Sequence, residues 1–258
     1  MLANNTLKER LRRNEPVLGC FQKYADPVAV ELLALSGFDF VIIDNEHCQS
    51  NPETLFNNVR TAQGMGMHAL VRVQCNEQVQ ILKALDMGAS GVQVPNVDTE
   101  HDARRLVSYA RFAPEGVRGF GNTTRAGGYG TVPIKEFMRR GNEETLVIAH
   151  CETRAGVANL DGIVTVPGLD VVFIGPGDLS QAYGCAGEPQ SDELKEAIDR
   201  IIRVSLAAGK CVGIACPAAQ IKDYFARGVR FFAVGTDHSY TLSGAGGVRA
   251  AFEEGIAQ

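Results

Sequence analysis

The sequence predicts an α/β fold, a (β/α)₈ TIM barrel forming one domain over residues 1–258. Three observations carry this expectation. Short apolar, β-forming runs recur eight times, and most are followed by a longer segment of helical period. The runs are apolar on consecutive positions instead of alternating, as parallel strands covered on both faces require. Eight strand–helix units in a chain of this length fit one barrel. The runner-up, a doubly wound sheet, expects a G-x-G-x-x-G turn after the first strand, and "GCFQKYADP" lacks it.

The elements follow in order. A short amphipathic helix is expected at about residues 5–13, in a segment with no apolar core of signal-peptide type. The strands are expected at Val17–Phe21, Phe40–Ile43, Ala69–Val73, Gly91–Val94, Leu146–Ala149, Val171–Ile174, Cys211–Ile214 and Phe231–Val234. Asp26 is a capping residue for the helix that stops at Gly37, and Asn51 before Pro52 is a favourable cap and first-turn pair. A further helix opens at Asn76 and stops at Gly88; "DTEHDARRLVSYARF" and "SDELKEAIDRIIRVSLAAG" have the same period. One connection breaks the rhythm: "APEGVRGFGNTTRAGGYGTVP" is too long for an ordinary strand–helix turn. Its Arg118 and Arg125 suggest contact with an anion or a neighbouring subunit, and a mobile surface lid is the alternative.

Composition excludes some partners. The formal net charge is −5 and no block of like charges occurs, which argues against nucleic acid or an anionic membrane as the main partner. No apolar run approaches the roughly 18 residues that span a bilayer, so a cytoplasmic location is expected. Seven cysteines lie at positions 20, 48, 75, 151, 185, 211 and 216, several inside apolar strands, as reduced thiols in a reducing compartment would. Their spacing is not that of a zinc knuckle.

In such a barrel the active site lies at the C-terminal ends of the strands, and ionisable residues gather there. The second strand ends in Asp44, Glu46 and His47, and the third carries Arg72. The fifth gives His150 and Glu152, the sixth Asp178 after a Gly-Pro-Gly turn, and the eighth Asp237 and His238. Glu152 and Asp178 follow neighbouring buried strands. As a carboxylate pair with open positions they suit Mg²⁺ or Mn²⁺; the alternative is that each caps a helix. Arg72, within apolar residues, needs an anionic partner. That partner is a substrate carboxylate taken in the planar fork, or Asp44, or both in turn. His47 is the natural general acid or base. Of the lysines, only Lys23 is placed to face the top of the barrel, so an imine mechanism is disfavoured against metal-assisted enolisation.

Together these residues resemble the HpcH/HpaI aldolases, the metal-dependent (class II) pyruvate aldolases. The motifs are "GFDFVIIDNEH", "VRV", "ILKALDMGASGVQVPNV", "ARFAPEGVRGFG" with "RAGGYG", "VIAHCET", "VVFIGPGDLS" and "FFAVGTD", from about Leu18 to Phe252. The resemblance implies a barrel of the phosphoenolpyruvate/pyruvate-domain type with an exchanged last helix, assembled as a homohexamer, a trimer of dimers. It implies reversible cleavage of a 4-hydroxy-2-oxo acid, from aromatic-compound or sugar-acid breakdown, to pyruvate and an aldehyde. Glu152 and Asp178 then match the metal ligands for Mg²⁺ or Mn²⁺, with Co²⁺ a third candidate. Arg72 matches the residue that polarises the pyruvyl oxygens, and His47 the acid/base. Asp86 matches the acid that raises the basicity of His47, and the Pro176–Gly177 turn the backbone that meets the pyruvate carboxylate. Asp44 and Glu46 are supporting residues: Asp44 positions His47 or pairs with Arg72, and Glu46 hydrogen-bonds metal-bound water.

The sequence departs from the family pattern at three positions. His150 stands where the family has Gln, Phe21 where it has Trp, and Cys48 where it has Gly or Ala. His150 is a third metal ligand, a pyruvate contact, or an altered support for the metal ligands. Two other functions use related sites: an acyl-CoA lyase of the malyl- or citramalyl-CoA type or an oxaloacetate decarboxylase-like enzyme, and a non-catalytic 2-oxo acid binding protein.

Overall fold

The computed structural model describes residues 6–48, 50–188 and 191–256. Eight parallel strands close into a barrel in chain order, β1 Val17–Gln22, β2 Phe40–Asp44, β3 His68–Arg72, β4 Gly91–Val94, β5 Leu146–Cys151, β6 Val171–Ile174, β7 Cys211–Cys216 and β8 Phe231–Thr236. The expected strands are all present. Several run one or two residues further than expected, which brings Asp44 and His150 inside the sheet, while β3 begins at His68 and ends on Arg72, one residue before the expected Val73. The helices are α1 Thr6–Arg12, α2 Pro27–Leu35, α3 Pro52–Gly64, α4 Gln78–Asp86, α5 Glu100–Ala110, α6 Ile134–Glu144, α7 Arg154–Ala158, α8 Leu160–Ile163, α9 Pro176–Ala182, α10 Asp192–Ala207, α11 Ile221–Ala226 and α12 Asp237–Ile256. α1 covers most of the expected N-terminal helix; position 5 lies outside the described residues.

The period of two along each strand sorts the apolar residues into two cores. Val41, Ile43, Val71, Val92, Val147, Val172 and Ile214 face outward and pack under the helices. Phe40, Ile42, Leu70, Leu146, Ile148, Val171, Phe173 and Phe231 face inward and fill the barrel. Three phenylalanines dominate the lower interior. Phe40 stacks on Phe231 at 4.3 Å, and Phe173 meets Phe231 edge-on at 5.9 Å. Gly19 makes this packing possible: a Cβ there would lie 2.2 Å from the Phe40 ring.

Capping follows the sequence at two sites. The side chain of Asp26 accepts the Val28 N–H, and that of Asn51 accepts the Thr54 N–H. Asn76 does not open its helix. α4 begins two residues later without a side-chain cap, and the Asn76 amide donates instead to the Asp102 carbonyl at 2.9 Å. The long glycine-rich connection is packed, not an open lid. Phe112, Ala126 and Phe137 form a small core of their own beneath it, and Arg118 is buried against the Phe112 ring at 4.5 Å. Arg125 reaches the Gln63 side chain.

Helix α12 stands apart. Of its 20 residues only Asp237 is buried, and Leu242, Val248, Phe252 and Ile256 are exposed. Beside its first turn lies a 530 Å³ groove whose lining includes Val28, Leu32, Leu33, Phe38 and Tyr240.

Candidate active site

The site is assembled by register. In parallel pairing Asp44 is the partner of Arg72, and Arg72 of Gln93. Phe40, Ile42 and Asp44 share one face of β2, so the run that fills the barrel below delivers a carboxylate at its mouth. Leu70 and Arg72 do the same on β3. Arg72 donates from Nε to Asp44 Oδ1 at 2.9 Å and from Nη2 to Oδ2 at 2.7 Å. Its Nη1 lies 3.0 Å from Glu46 Oε2. The guanidinium lies 4.7 Å from the centre of the Phe21 ring, which adds cation–π attraction. Arg72 is 5% exposed, and the fork between two carboxylates compensates its burial.

Asp44 organises more than the arginine. Its Oδ1 accepts the N–H of Glu46 at 3.1 Å and of His47 at 3.3 Å, which turns the chain after β2. Its Oδ2 also pairs with Lys23 Nζ. Burial alone would raise the pKa of Asp44, but the hydrogen bonds and charge of Arg72, then those of Lys23, outweigh it and hold the carboxyl well below its usual range. A depressed folded-state pKa means stability that is complete above the unfolded value, about 3.9, and is lost as pH falls from there toward the folded value. Thermal melts of the wild type are therefore expected to fall from about pH 4 downward. Asp44→Asn, uncharged throughout, is expected to start lower at pH 7 and to fall less steeply; an equal slope would remove Asp44 from the acid response.

His47 projects from the turn with 54% of its side chain exposed, its Nε2 3.8 Å from Glu46 Oε2. It lines an open cleft of 540 Å³ together with Glu46, Cys48, Ser50, Asn51 and Gln74. Cys48 is half-buried, and burial with the Asp44 charge pushes its thiol pKa up, so it is not an activated nucleophile. Asp86 is placed differently from the expectation. Its Oδ1 accepts from Arg118 at 3.1 Å, and no hydrogen bond or ion pair joins it to His47 among the described residues. Burial raises the Asp86 pKa, against the opposing pull of Arg118. Within one chain it is the partner of the glycine-rich connection.

Glu152 follows β5 directly and is buried. Its Oε1 accepts the Asn96 N–H at 3.0 Å, and its Oε2 lies 2.7 Å from His150 Nδ1. Burial would raise its pKa, but the hydrogen bond from His150, the Asn96 N–H and the Arg72 charge together lower it. Glu46 responds the other way: burial raises it, Arg72 opposes, and the nearby Glu152 carboxylate adds to the rise. Asp178 lies in the first turn of α9, after Pro176 and Gly177, and is exposed.

The two expected metal ligands converge on Gly175. A Cβ at that position would lie 2.6 Å from Glu152 Oε2 and 3.7 Å from Asp178 Oδ2. A space kept clear by glycine and bordered by two carboxylates fits a hard divalent cation, whose remaining positions fall to water and substrate oxygens. Among the described residues no group of three or more His, Cys, Asp or Glu is placed to hold a metal. Gly175→Ala is expected to weaken Mn²⁺ binding about 10-fold in calorimetry while the thermal midpoint stays near that of the wild type. An unchanged affinity would mean that Glu152 simply moves aside.

The sequence profile of the HpcH/HpaI aldolase/citrate lyase family matches residues 18–243. The chain belongs to that family. It is 39% identical over 240 residues to a hydroxypyruvate/pyruvate aldolase of Delftia acidovorans, covering 92% of this chain and 88% of the relative. It is 35% identical over 234 residues to a 5-keto-4-deoxy-D-glucarate aldolase of Salmonella paratyphi C, covering 90% and 91%. Among solved structures it is similar to an HpcH/HpaI aldolase/citrate lyase family protein from Burkholderia cenocepacia, with a TM-score of 0.91 and 30% identity over 98% of this chain and 100% of the other. It is also similar to the citrate synthase SbnG, with a TM-score of 0.89 and 32% identity over 98% and 99%.

Four residues of this HpcH/HpaI family member enter the site beyond those given a role in the sequence, although Lys23 and Asp237 were already noted at strand ends. Lys23 was visible only as a lysine near the top; its pairing with Asp44 depends on the β1–β2 neighbourhood. Asn96 acts through its backbone N–H, and its one local signal is a left-handed conformation, φ 52°, at a residue type that tolerates it. Gln93 is fully buried beside Arg72 in a run that reads as plain strand. Asp237 accepts the N–H groups of Lys23 and Tyr24 and so ties the loop after β1 to the start of α12.

Proposed function

We propose that this family member is a divalent-metal-dependent pyruvate aldolase that cleaves a 4-hydroxy-2-oxo acid to pyruvate and an aldehyde, reversibly. The observation that carries the reading is the Arg72 fork, held by Asp44 and Glu46, in the same barrel mouth as the Glu152 and Asp178 carboxylates around Gly175. The names of the relatives support the same reaction class, carbon–carbon bond cleavage next to a 2-oxo acid.

Glu152 and Asp178 hold the cation, Mg²⁺ or Mn²⁺, and when bound it supplies Lewis-acid polarisation of the 2-oxo group. Arg72 holds the donor oxygens and stabilises the negative charge that grows on the 2-oxo oxygen as the carbon–carbon bond breaks. Asp44 and Glu46 fix the plane of that guanidinium before substrate arrives, so little reorganisation is needed. His47, exposed in the cleft, takes the proton of the 4-hydroxyl as the C3–C4 bond breaks and the aldehyde forms, and it returns a proton to C3 of the enolate to complete pyruvate. Gly177, beside which a Cβ would meet nothing within 4 Å, leaves its backbone open to the substrate carboxylate.

Incubation with Mn²⁺, pyruvate and a panel of aldehydes is expected to give aldol product, and a chelator to abolish it. Absence of product with every aldehyde, together with absence of oxaloacetate decarboxylation, would overturn the reading. Binding of pyruvate without any turnover would make the protein a 2-oxo acid receptor. The likeness to a citrate synthase gives the panel a further arm, acetyl-CoA, whose consumption would favour thioester chemistry.

The assembly belongs to the same proposal. α12 exposes apolar residues along its length, and the groove at α2 offers an apolar seat to a helix of a second copy. An exchanged α12 in a trimer of dimers covers both. Light scattering is expected to give six times the 27.7 kDa chain mass; a monomer would overturn this. A cytoplasmic location is supported by seven free cysteines, and no helix among the described residues is long and apolar enough to cross a membrane.

A further inference from the structure

His150 and Gln93 have no task in the reaction as described, yet they are the polar side chains whose placement in the barrel calls most strongly for one. The His150 side chain is 1% exposed and stacks on the Phe173 ring at 4.7 Å with an interplanar angle of 28°. Its Nδ1 is 2.7 Å from Glu152 Oε2. A carboxylate accepts only, so the Nδ1 of this ring carries the proton. The other nitrogen, Nε2, is buried and has no protein partner among the described residues. Gln93 is 0% exposed, and neither its amide nitrogen nor its amide oxygen has a protein partner among the described residues.

Topology puts these two orphans close in the barrel. Gln93 pairs with Arg72 on one side and with Ile148 on the other, so it faces inward as they do. His150 is the next inward residue of β5 after Ile148. An amide with two N–H donors on β4 thus stands one strand away from a buried acceptor on β5. Buried polar groups that stay unpaired bear their full desolvation cost.

We propose that Gln93 and His150 are positioning residues for the metal-binding Glu152. The Gln93 amide N–H supports His150 Nε2 through one buried water. This fixes the ring with its proton on Nδ1, and that proton holds Glu152 Oε2. With Asn96 N–H on Oε1, each carboxylate oxygen has one hydrogen bond and keeps electron pairs free for the cation. In this arrangement neither His150 nor Gln93 touches the metal: Nδ1 serves Glu152, and Nε2 and the Gln93 amide serve one another. The inference rests on the proposed metal role of Glu152.

The test measures Mn²⁺ affinity by calorimetry in the full-length protein, with thermal melts as a control for folding. Gln93→Met, which replaces a buried amide by an apolar group of similar length, is expected to fold and to weaken Mn²⁺ about 5- to 10-fold, and His150→Phe about 10-fold. The double variant is expected to be no weaker than His150→Phe alone, since Gln93 acts through the histidine. Unchanged affinity in Gln93→Met, or additive losses in the double variant, overturns the proposal. A loss in His150→Phe as large as that of Glu152→Gln makes His150 a ligand and also overturns it. Long-range ¹H–¹⁵N correlations of the metal-free wild type give a readout independent of metal: a proton on Nδ1 alone is expected, and one on Nε2 overturns the relay. A wild type that binds no Mn²⁺ would overturn the metal reading itself, a different result from binding that ignores both substitutions.

Discussion

Replacing Arg72 by alanine is expected to lower kcat/KM for 2-oxo acid cleavage about 10³-fold and to destabilise the fold as well. Both losses come from one side chain. On the chemical side, the guanidinium is the cation of the chain fixed beside the growing charge, and removal of one such preorganised donor typically costs about 3–4 kcal/mol. On the structural side, Asp44 is left buried with Lys23 as its remaining cation. Breaking a buried pair by deleting one partner costs about 3–5 kcal/mol, and Lys23 places the expected loss at the lower end. Arg72→Lys restores the charge but not the fork, since an ammonium cannot bridge both oxygens of Asp44 and reach Glu46 in one plane. It is expected to recover most of the stability and little of the activity. Urea denaturation and steady-state kinetics measured together check this. Full activity in Arg72→Ala would remove the residue from the mechanism.

Glu152→Gln is expected to have the next largest effect, at least about a 100-fold loss of Mn²⁺ affinity, because affinity follows the charge count of the ligands. The substitution keeps the volume and one carbonyl oxygen for the Asn96 N–H. It removes the negative charge, and one orientation of the amide sets an NH₂ against His150 Nδ1–H. Activity is expected to fall in parallel, and added Mn²⁺ to restore part of it. Calorimetry on the metal-free variant checks the first statement, and a metal titration of the rate the second. Wild-type affinity in Glu152→Gln would place the cation elsewhere.

The legible part of the molecule is the part that repeats. Each strand is a consecutive apolar run because both of its faces are buried, and each such run ends where the barrel opens. The polar residues at those ends were therefore readable as candidates for the site: Asp44, Glu46, His47, Arg72, Glu152 and Asp178. The Arg72–Asp44 pair was readable as one of two alternatives, because a buried arginine must find a carboxylate. What was not legible was range. Within one chain the partner of Asp86 is Arg118, 32 residues further on. The start of α4 shifted because Asn76 found a partner outside its own helix.

By itself the sequence determined the class of fold, the end of the barrel where chemistry gathers, and the residue types that gather there. These follow from period and from the cost of burying charge, which act locally along the chain. Only the tertiary structure decided the pairings. Parallel register set Asp44 against Arg72 and Arg72 against Gln93, the pairing of β1 with β2 brought Lys23 to Asp44, and Gly175 kept the space between Glu152 and Asp178 clear. A pairing is a distance between residues far apart in the chain, and the order of residues alone carries no distance.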